Sequence, residues 1–429
     1  MNHCAFRHNR AFCILLLASC SSPAARDEAS FWYSYGGRNR EVLEDLVGRF
    51  NRVQAREGRP GRIRGTFQGD YFDALAKLRA AMLARRAPAV THVIAEALPR
   101  LAESGVLEDL GPWARGPEPL DTGDIVPALS LSGTFDLPGD VPLVAIPFNR
   151  STPILYYDRE ALQRAGIEPP RTWDDLRQAA HALTVRRGGH TERWGLTCPL
   201  SWWFWYAALA QANGTLLTPD GRAAFGRGPG VEALELYLGM VRAGTMRLPP
   251  GHDYAAWEKA HADFIARRAA MVITSTAFLA YITDNARFAV GAAPLPGHRR
   301  RAVPTGGTFF VLLADAPARA KRTAWSFVRW MSEPSRTAEW ARRTGYLPVR
   351  RSAVDSEAMQ RLYRERPAFR VALDQLDERA PFPWTSALLA IEREAVQPAL
   401  ERAAAGEVSA AEAMAEAARV ADQRILELR

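Results

Sequence analysis

Between residues 30 and 94 the chain switches repeatedly between two hydrophobic periods, and this alternation restricts the fold more than any other feature of its 429 residues. Ser30–Tyr35 is an aromatic, β-prone run. Arg38–Val53 then carries Val42, Leu43, Leu46, Val47 and Phe50 at helical spacing. Ile63–Phe67 reads as a strand, Gly69-Asp70 as a stop and cap, and Tyr71–Arg85 as a helix with Leu75, Leu78, Met82 and Leu83 apolar. Ala89–Ile94 is a strand again. Strand–helix–strand–helix–strand calls for a mainly parallel sheet with helices on both faces, because parallel neighbours need a crossover between them.

Farther along, Leu143–Phe148 and Ile154–Tyr157 are strand-like pieces interrupted by a polar break at 149–153 that ends in proline. Such a break inside a long extended run is expected of a strand crossing between domains. Thr172–Leu183 reads as a helix with Thr172 at the N-cap and Asp175 three residues on. Helical spacing recurs at 202–212, 231–243, 254–268, 318–332, 335–343, 356–364, 367–377 and, as one stretch, 387–424. Ala270–Thr274 and Phe309–Leu313 read as strands. The length fits two or three domains.

The N-terminus reads as an export signal. Arg7 and Arg10 precede a short apolar core, Ala11–Ala18, too short to span a bilayer, and Leu17-Ala18-Ser19-Cys20 follows. Small residues before a cysteine resemble the bacterial lipobox, so residues 1–19 are expected to be removed and Cys20 to carry lipid. Residues 20–29 would then be a tether holding the body to a membrane. Cys4 and Cys13 leave with the signal, Cys198 becomes the lone thiol, and no internal disulfide is possible.

Several chemistries lack their residues. The eight histidines form no H-x₃-H pair, and neither CxxC nor HExxH occurs, which argues against a metal site. None of the three lysines, Lys77, Lys259 and Lys321, follows glycine, so a phosphate-binding P-loop is absent; no G-x-S-x-G elbow occurs either. The formal charge of +8 is spread along the chain rather than clustered, which argues against nucleic acid. No cofactor is expected. An exported, anchored α/β chain without a catalytic motif points to binding rather than catalysis.

Here the residues resemble a known family. Phe31–Asn51, Gln68–Leu75 (QGDYFDAL), Ala87–Val93, Ile146–Tyr157 (IPFNRSTPILYY), Lys259–Ser275, Arg342–Val349 (RRTGYLPV) and Pro381–Arg393 occur in the family's order. Over about residues 30–425 the chain resembles the extracellular solute-binding family 1, of maltose-binding type. This family supplies the substrate-binding lipoproteins of ABC importers, and the likeness is greatest to the member that binds glycerol-3-phosphate and glycerophosphodiesters.

The resemblance implies a two-lobe α/β periplasmic-binding-protein fold of type II that closes on ligand about a hinge. Residues 30–148 with 276–325 would form lobe 1, and 149–275 with 326–429 lobe 2. It also implies a monomer whose partners are a small glycerol-phosphate-type ligand and the importer's permease subunits. The alternatives are a sugar- or oligosaccharide-binding component of the same architecture and a secreted phosphodiesterase.

Matched positions supply the candidate ligand residues. Tyr71 starts a helix whose N-terminus favours phosphate. Ser151 sits in the interdomain break, Ser275 at a strand end, and Gly307 where backbone can approach a ligand. Tyr346 lies in TGYLP, and Trp203 matches a ligand-stacking tryptophan. Arg393 would present a planar fork to phosphate. Two positions depart from the pattern. The family's glycerol-binding carboxylate falls on Ala95, so either the adjacent Glu96 replaces it or that contact is lost. A second tryptophan is Leu200 here, which would enlarge the site toward a diester such as glycerophosphocholine.

Overall fold

The computed structural model describes residues 27–34, 36–251 and 253–428. The signal segment, Cys20 and most of the tether lie outside the described residues. Among the described residues no helix is long and apolar enough to cross a membrane.

The opening alternation folds as two parallel crossovers. Strand β1 (Glu28–Tyr33) leads to helix α1 (Gly37–Arg56), β2 (Arg62–Phe67), α2 (Tyr71–Leu83) and β3 (Val90–Ile94). β1 lies between β2 and β3 and is parallel to both. Helix α1 buries Val42, Leu43, Leu46, Val47 and Phe50, the face set by their spacing. Asp70 caps α2, its Oδ1 accepting from the N–H groups of Phe72 and Asp73, each at 2.8 Å.

The chain then leaves this sheet through a narrower passage than the polar break suggests. β4 (Ile146–Ser151) belongs to the first sheet and β5 (Pro153–Asp158) to the second, with only Thr152 between them. Asn149, Arg150 and Ser151 are strand because the returning strand pairs with them: Gly306 stands opposite Ser151 and Gly307 opposite Arg150. Thr152 is fastened to a second crossing. Its N–H donates to Thr276 Oγ1 at 3.2 Å, and its carbonyl accepts from Thr276 N at 3.1 Å.

The second sheet adds β6 (Val185–Arg187), β7 (His190–Thr197), β8 (Met246–Arg247), β9 (Ala269–Ser275) and β10 (Val290–Ala293). β11 (Gly306–Leu312) returns to the first sheet, antiparallel to both β3 and β4. Both sheets are therefore mixed, and the expected parallel order holds for β1 to β3. The strands next to the crossings pair antiparallel with partners distant in sequence, Pro153–Asp158 with Ala269–Ser275 and Ile146–Ser151 with Gly306–Leu312.

Two expected lobe boundaries move. Val290–Ala293, assigned from sequence to lobe 1 with 276–325, pairs with β5 in the second sheet. The helix Ala318–Met331, expected to divide at 325, packs whole on the first sheet, where Phe327 lies 5.2 Å from Phe31 and 5.3 Å from Phe50. Trp340, beyond it, stacks on Phe148 at 5.0 Å. Aromatic burial against β1 and β4 thus holds residues 326–340 to the first lobe.

The expected helix at 172–183 forms at Trp173–Leu183, with a capping box between Thr172 and Asp175. The stretch expected as one helix over 387–424 is broken twice. A π-helical turn occupies Ile391–Val396, and Gly406, at φ +76°, ends Gln397–Ala404 before Ala410–Glu427 begins. Cys198 is a buried free thiol.

Candidate functional site

Between the two sheets lies a partly open cavity, whose envelope holds about 930 Å³ when the space open to solvent is included. All eight residues singled out from sequence line it: Tyr71, Glu96, Ser151, Trp203, Ser275, Gly307, Tyr346 and Arg393. They come from segments up to 322 positions apart, which the two lobes bring together at the cleft.

Each is placed by local structure. Tyr71 is the first residue of α2. Ser151 ends β4, and Ser275 ends β9, where its Oγ accepts from Ala277 N at 3.1 Å and keeps its proton to donate. Gly307, at φ +95°, faces the carbonyl of Asn149 so closely that a β-carbon would lie 1.8 Å from that oxygen. The backbone crossing therefore requires glycine there.

Trp203 is the second residue of the helix Trp202–Gln211, and its N–H donates to the capping Ser201 side chain. Its indole stacks with Trp257 at 6.2 Å and 26°, and Trp257 leads on to Phe278 at 6.1 Å. The buried Nε1–H of Trp203 has no hydrogen-bond acceptor among the described residues. A buried donor without a partner is costly, and a ligand acceptor in the cavity would satisfy it.

Arg393 sits on the π-helical turn. Its guanidinium lies 3.8 Å from the centre of the Phe72 ring, a cation–π contact that supports it at the cavity wall. Glu392 and Arg393, on this turn, and Gln397, which follows it, all line the cavity.

Glu96 follows β3 on a short 3₁₀ turn, and its carboxylate lines the cavity. Ala95 is buried and does not line it. Burial raises the Glu96 pKa, while Arg150 and the Trp202 indole favour the charged form. Arg150 is the unexpected member of this group. It is wholly buried behind the cavity floor, donates to Thr134 and Thr305 hydroxyls at 2.9 Å each, and lies 4.3 Å over the Phe309 ring. Its Nε and Nη1 have no hydrogen-bond acceptor among the described residues. Burial pushes its pKa down to about 9 against the opposing pull of Glu96.

The sequence reading missed Phe72, Tyr254, Trp257, Phe278, Glu392 and Gln397 as lining residues. Tyr254 and Trp257 are three apart on one helix, a spacing that shows a shared face without showing what the face meets. Leu200, where a tryptophan was expected from the resemblance, does line the cavity. Among the described residues no group of three or more His, Cys, Asp or Glu could hold a metal.

Comparison with known proteins agrees with this architecture. Residues 57–368 match the family described as bacterial extracellular solute-binding protein. The chain belongs to that family. This solute-binding protein is 26% identical over 398 residues to the sn-glycerol-3-phosphate-binding periplasmic protein UgpB of Yersinia pestis, covering 89% of this chain and 88% of the relative. It superimposes on UgpB from Mycobacterium tuberculosis, solved with glycerophosphocholine, with a TM-score of 0.81 at 26% identity. That match covers 93% of this chain and 98% of the other. The GacH receptor of Streptomyces glaucescens, whose structures include an acarbose complex, shares the fold with a TM-score of 0.79 at 19% identity, covering 94% and 99%.

Proposed function

We propose that this protein is the substrate-binding component of an ABC importer, and that it captures glycerol-3-phosphate or a glycerophosphodiester such as glycerophosphocholine. The observation that carries the reading is Arg393, a ring-supported guanidinium on the wall of a cavity that also holds the hydroxyls of Tyr71, Ser151, Ser275 and Tyr346. A phosphate group takes a bidentate cation and several O–H donors at once. The stacked Trp203–Trp257 face offers a quaternary ammonium its aromatic surface. UgpB relatives, named for glycerol-3-phosphate or solved with glycerophosphocholine, support the same ligand class. The family's description as extracellular solute-binding supports binding rather than catalysis.

The stacked indoles also favour a second reading, an oligosaccharide laid against them, in which Arg393 would be incidental. Calorimetry with glycerol-3-phosphate, glycerophosphocholine, glycerol and maltose separates the two. Heat with the phosphate ligands alone supports the first reading, and heat with maltose alone overturns it.

The reading extends to the ends of the chain. Cys20 is the lipid attachment site, the mature protein is a monomer tethered at its N-terminus, and lobe closure presents it to the permease. Release of Cys20→Ala from membranes in soluble form is the expected outcome; an unlabelled wild type after fatty-acid labelling in a lipoprotein-competent bacterium would contradict it.

A further inference from the structure

Behind the cavity wall runs a line of hydrogen bonds whose direction is set from its far end. The backbone N–H of Ser34 donates to Nε2 of His92 at 2.7 Å. A backbone amide can only donate, so Nε2 must accept. His92 is buried, and burial pushes its pKa down to about 3. The imidazole is therefore neutral, and its single proton sits on Nδ1. Contacts with Phe31, Tyr71 and Phe148, at ring-centre distances of 6.1, 6.3 and 6.2 Å, hold the ring in that orientation.

Nδ1 lies 2.8 Å from Thr308 Oγ1, so the threonine hydroxyl accepts there and turns its own proton to Asn149 Oδ1. The backbone N–H of Thr308, a second obligatory donor, reaches the same Oδ1 at 3.2 Å. These two donors fix the Asn149 amide with its oxygen toward Thr308. Its Nδ2 then donates to Tyr346 Oη at 3.1 Å. The Tyr346 hydroxyl accepts from Asn149 and from the Tyr71 hydroxyl, and so keeps its own proton to give. Both tyrosines line the cavity.

We propose that His92, Thr308 and Asn149 are positioning residues, forming a one-way relay that holds the Tyr346 hydroxyl as a donor toward an anionic ligand. The proposal rests on the reading of the cavity as a phosphate site. A tyrosine hydroxyl free to rotate presents a lone pair as readily as a proton, and a lone pair repels an anion. The relay removes that choice before the ligand arrives, so no reorientation is needed on binding. None of the three relay residues needs to touch the ligand.

Two measurements test it. Nitrogen-15 NMR of His92 in the ligand-free wild-type protein at pH 7 should show the Nδ1–H tautomer; the Nε2–H tautomer or an imidazolium overturns the relay. Calorimetry with glycerol-3-phosphate should show Thr308→Val weakening binding about fivefold in the wild type, the scale of one neutral hydrogen bond. In the Tyr346→Phe background the same change should cost nothing, because the proton being oriented is gone. An equal loss in both backgrounds would mean a merely structural effect and would overturn the proposal. If the wild type binds neither glycerol-3-phosphate nor glycerophosphocholine, the ligand reading fails, and the tautomer alone decides whether the relay exists. The tautomer also decides if Thr308→Val does not fold.

Discussion

The benzo edge of Trp203 lies directly over the α-carbon of Gly306: a β-carbon there would stand 2.6 Å from Cζ2 and 2.7 Å from Cε2 of the indole. Gly306 opens a strand of the first sheet, and Trp203 lies in the first turn of a helix that packs beside the second. The contact therefore crosses the cleft, and glycine is what lets the two lobes meet there with an aromatic wall between them. Gly306→Ala should act on the closed arrangement, because separating the lobes relieves the clash. Overpacking costs about 1–3 kcal/mol, so ligand affinity should fall about five- to 100-fold while the melting temperature of the ligand-free protein stays nearly unchanged. Titration and thermal denaturation of the variant check both halves; equal affinity in the variant and the wild type would show that the contact is not needed for binding.

Arg393 is expected to carry the charge recognition. Removing it leaves a desolvated phosphate facing Glu392 and Glu96, which line the same cavity. The loss should be roughly 2–5 kcal/mol, or about 30-fold and more in affinity. Arg393→Lys should recover only part of it. An ammonium cannot offer two parallel N–H donors, and it lacks the delocalised group that Arg393 places 3.8 Å from the Phe72 ring centre. Calorimetry on folded Arg393→Ala and Arg393→Lys gives the order; equal affinity in wild type and alanine variant would remove Arg393 from the site.

The residues that met at the cavity were legible where sequence carries local chemistry. Asp70 before Tyr71 is a cap, and Gly306-Gly307 marks a close approach of backbone. The TGYLP and FNRSTP segments fix Tyr346 and Ser151 within a family pattern. What was not legible depends on pairing across long separations. Arg150 reads as one more arginine in a basic chain until β4 pairs with the returning strand and Phe309 and Thr305 close around it. The polar run at 149–153 looked like a break for the same reason: Asn149 is satisfied by Thr308 and Tyr346, 159 and 197 positions away. The π-helical turn at Ile391–Val396 left no trace either, because helical periodicity cannot reveal one inserted residue.

Two buried histidines predict acid sensitivity. His92 and His261 are both wholly enclosed, and burial pushes each pKa from the usual 6.5 down to about 3. His261 Nε2 bonds the Thr274 hydroxyl at 2.8 Å, and its ring packs on Phe278 at 4.2 Å. Between the folded and unfolded pKa values the unfolded chain binds a proton that the folded one refuses. Stability therefore rises with pH in this window and is lost as pH falls from about 6.5 toward 3, by up to about 1.4 kcal/mol per pH unit for each histidine. From pH 6.5 to 5 most carboxylates stay ionised, so the histidines dominate the slope. Denaturant midpoints across that interval should drop for the wild type and drop less for His261→Gln. Parallel slopes would show that His261 does not contribute.

Ligand preference should follow the space beside Leu200. Leu200 lines the cavity where the resemblance places a tryptophan, and Ala95, where it places a carboxylate, is buried away from the cavity. Replacing an indole by a leucine leaves room beside Trp203, and a small glycerol phosphate in that room forfeits contacts on one side. A diester ending in a quaternary ammonium fills the space and gains cation–π attraction from the Trp203–Trp257 face, about 0.5–2 kcal/mol. Glycerophosphocholine should therefore bind more tightly than glycerol-3-phosphate, by roughly two- to 30-fold for that range. Leu200→Trp refills the cleft and should narrow or reverse the order, chiefly by weakening the diester. Titrating both ligands into wild type and variant measures four affinities and isolates the effect of the one side chain. A wild type that prefers glycerol-3-phosphate would mean that Glu96, the carboxylate lining the cavity, holds the glycerol hydroxyls tightly enough to outweigh the empty space.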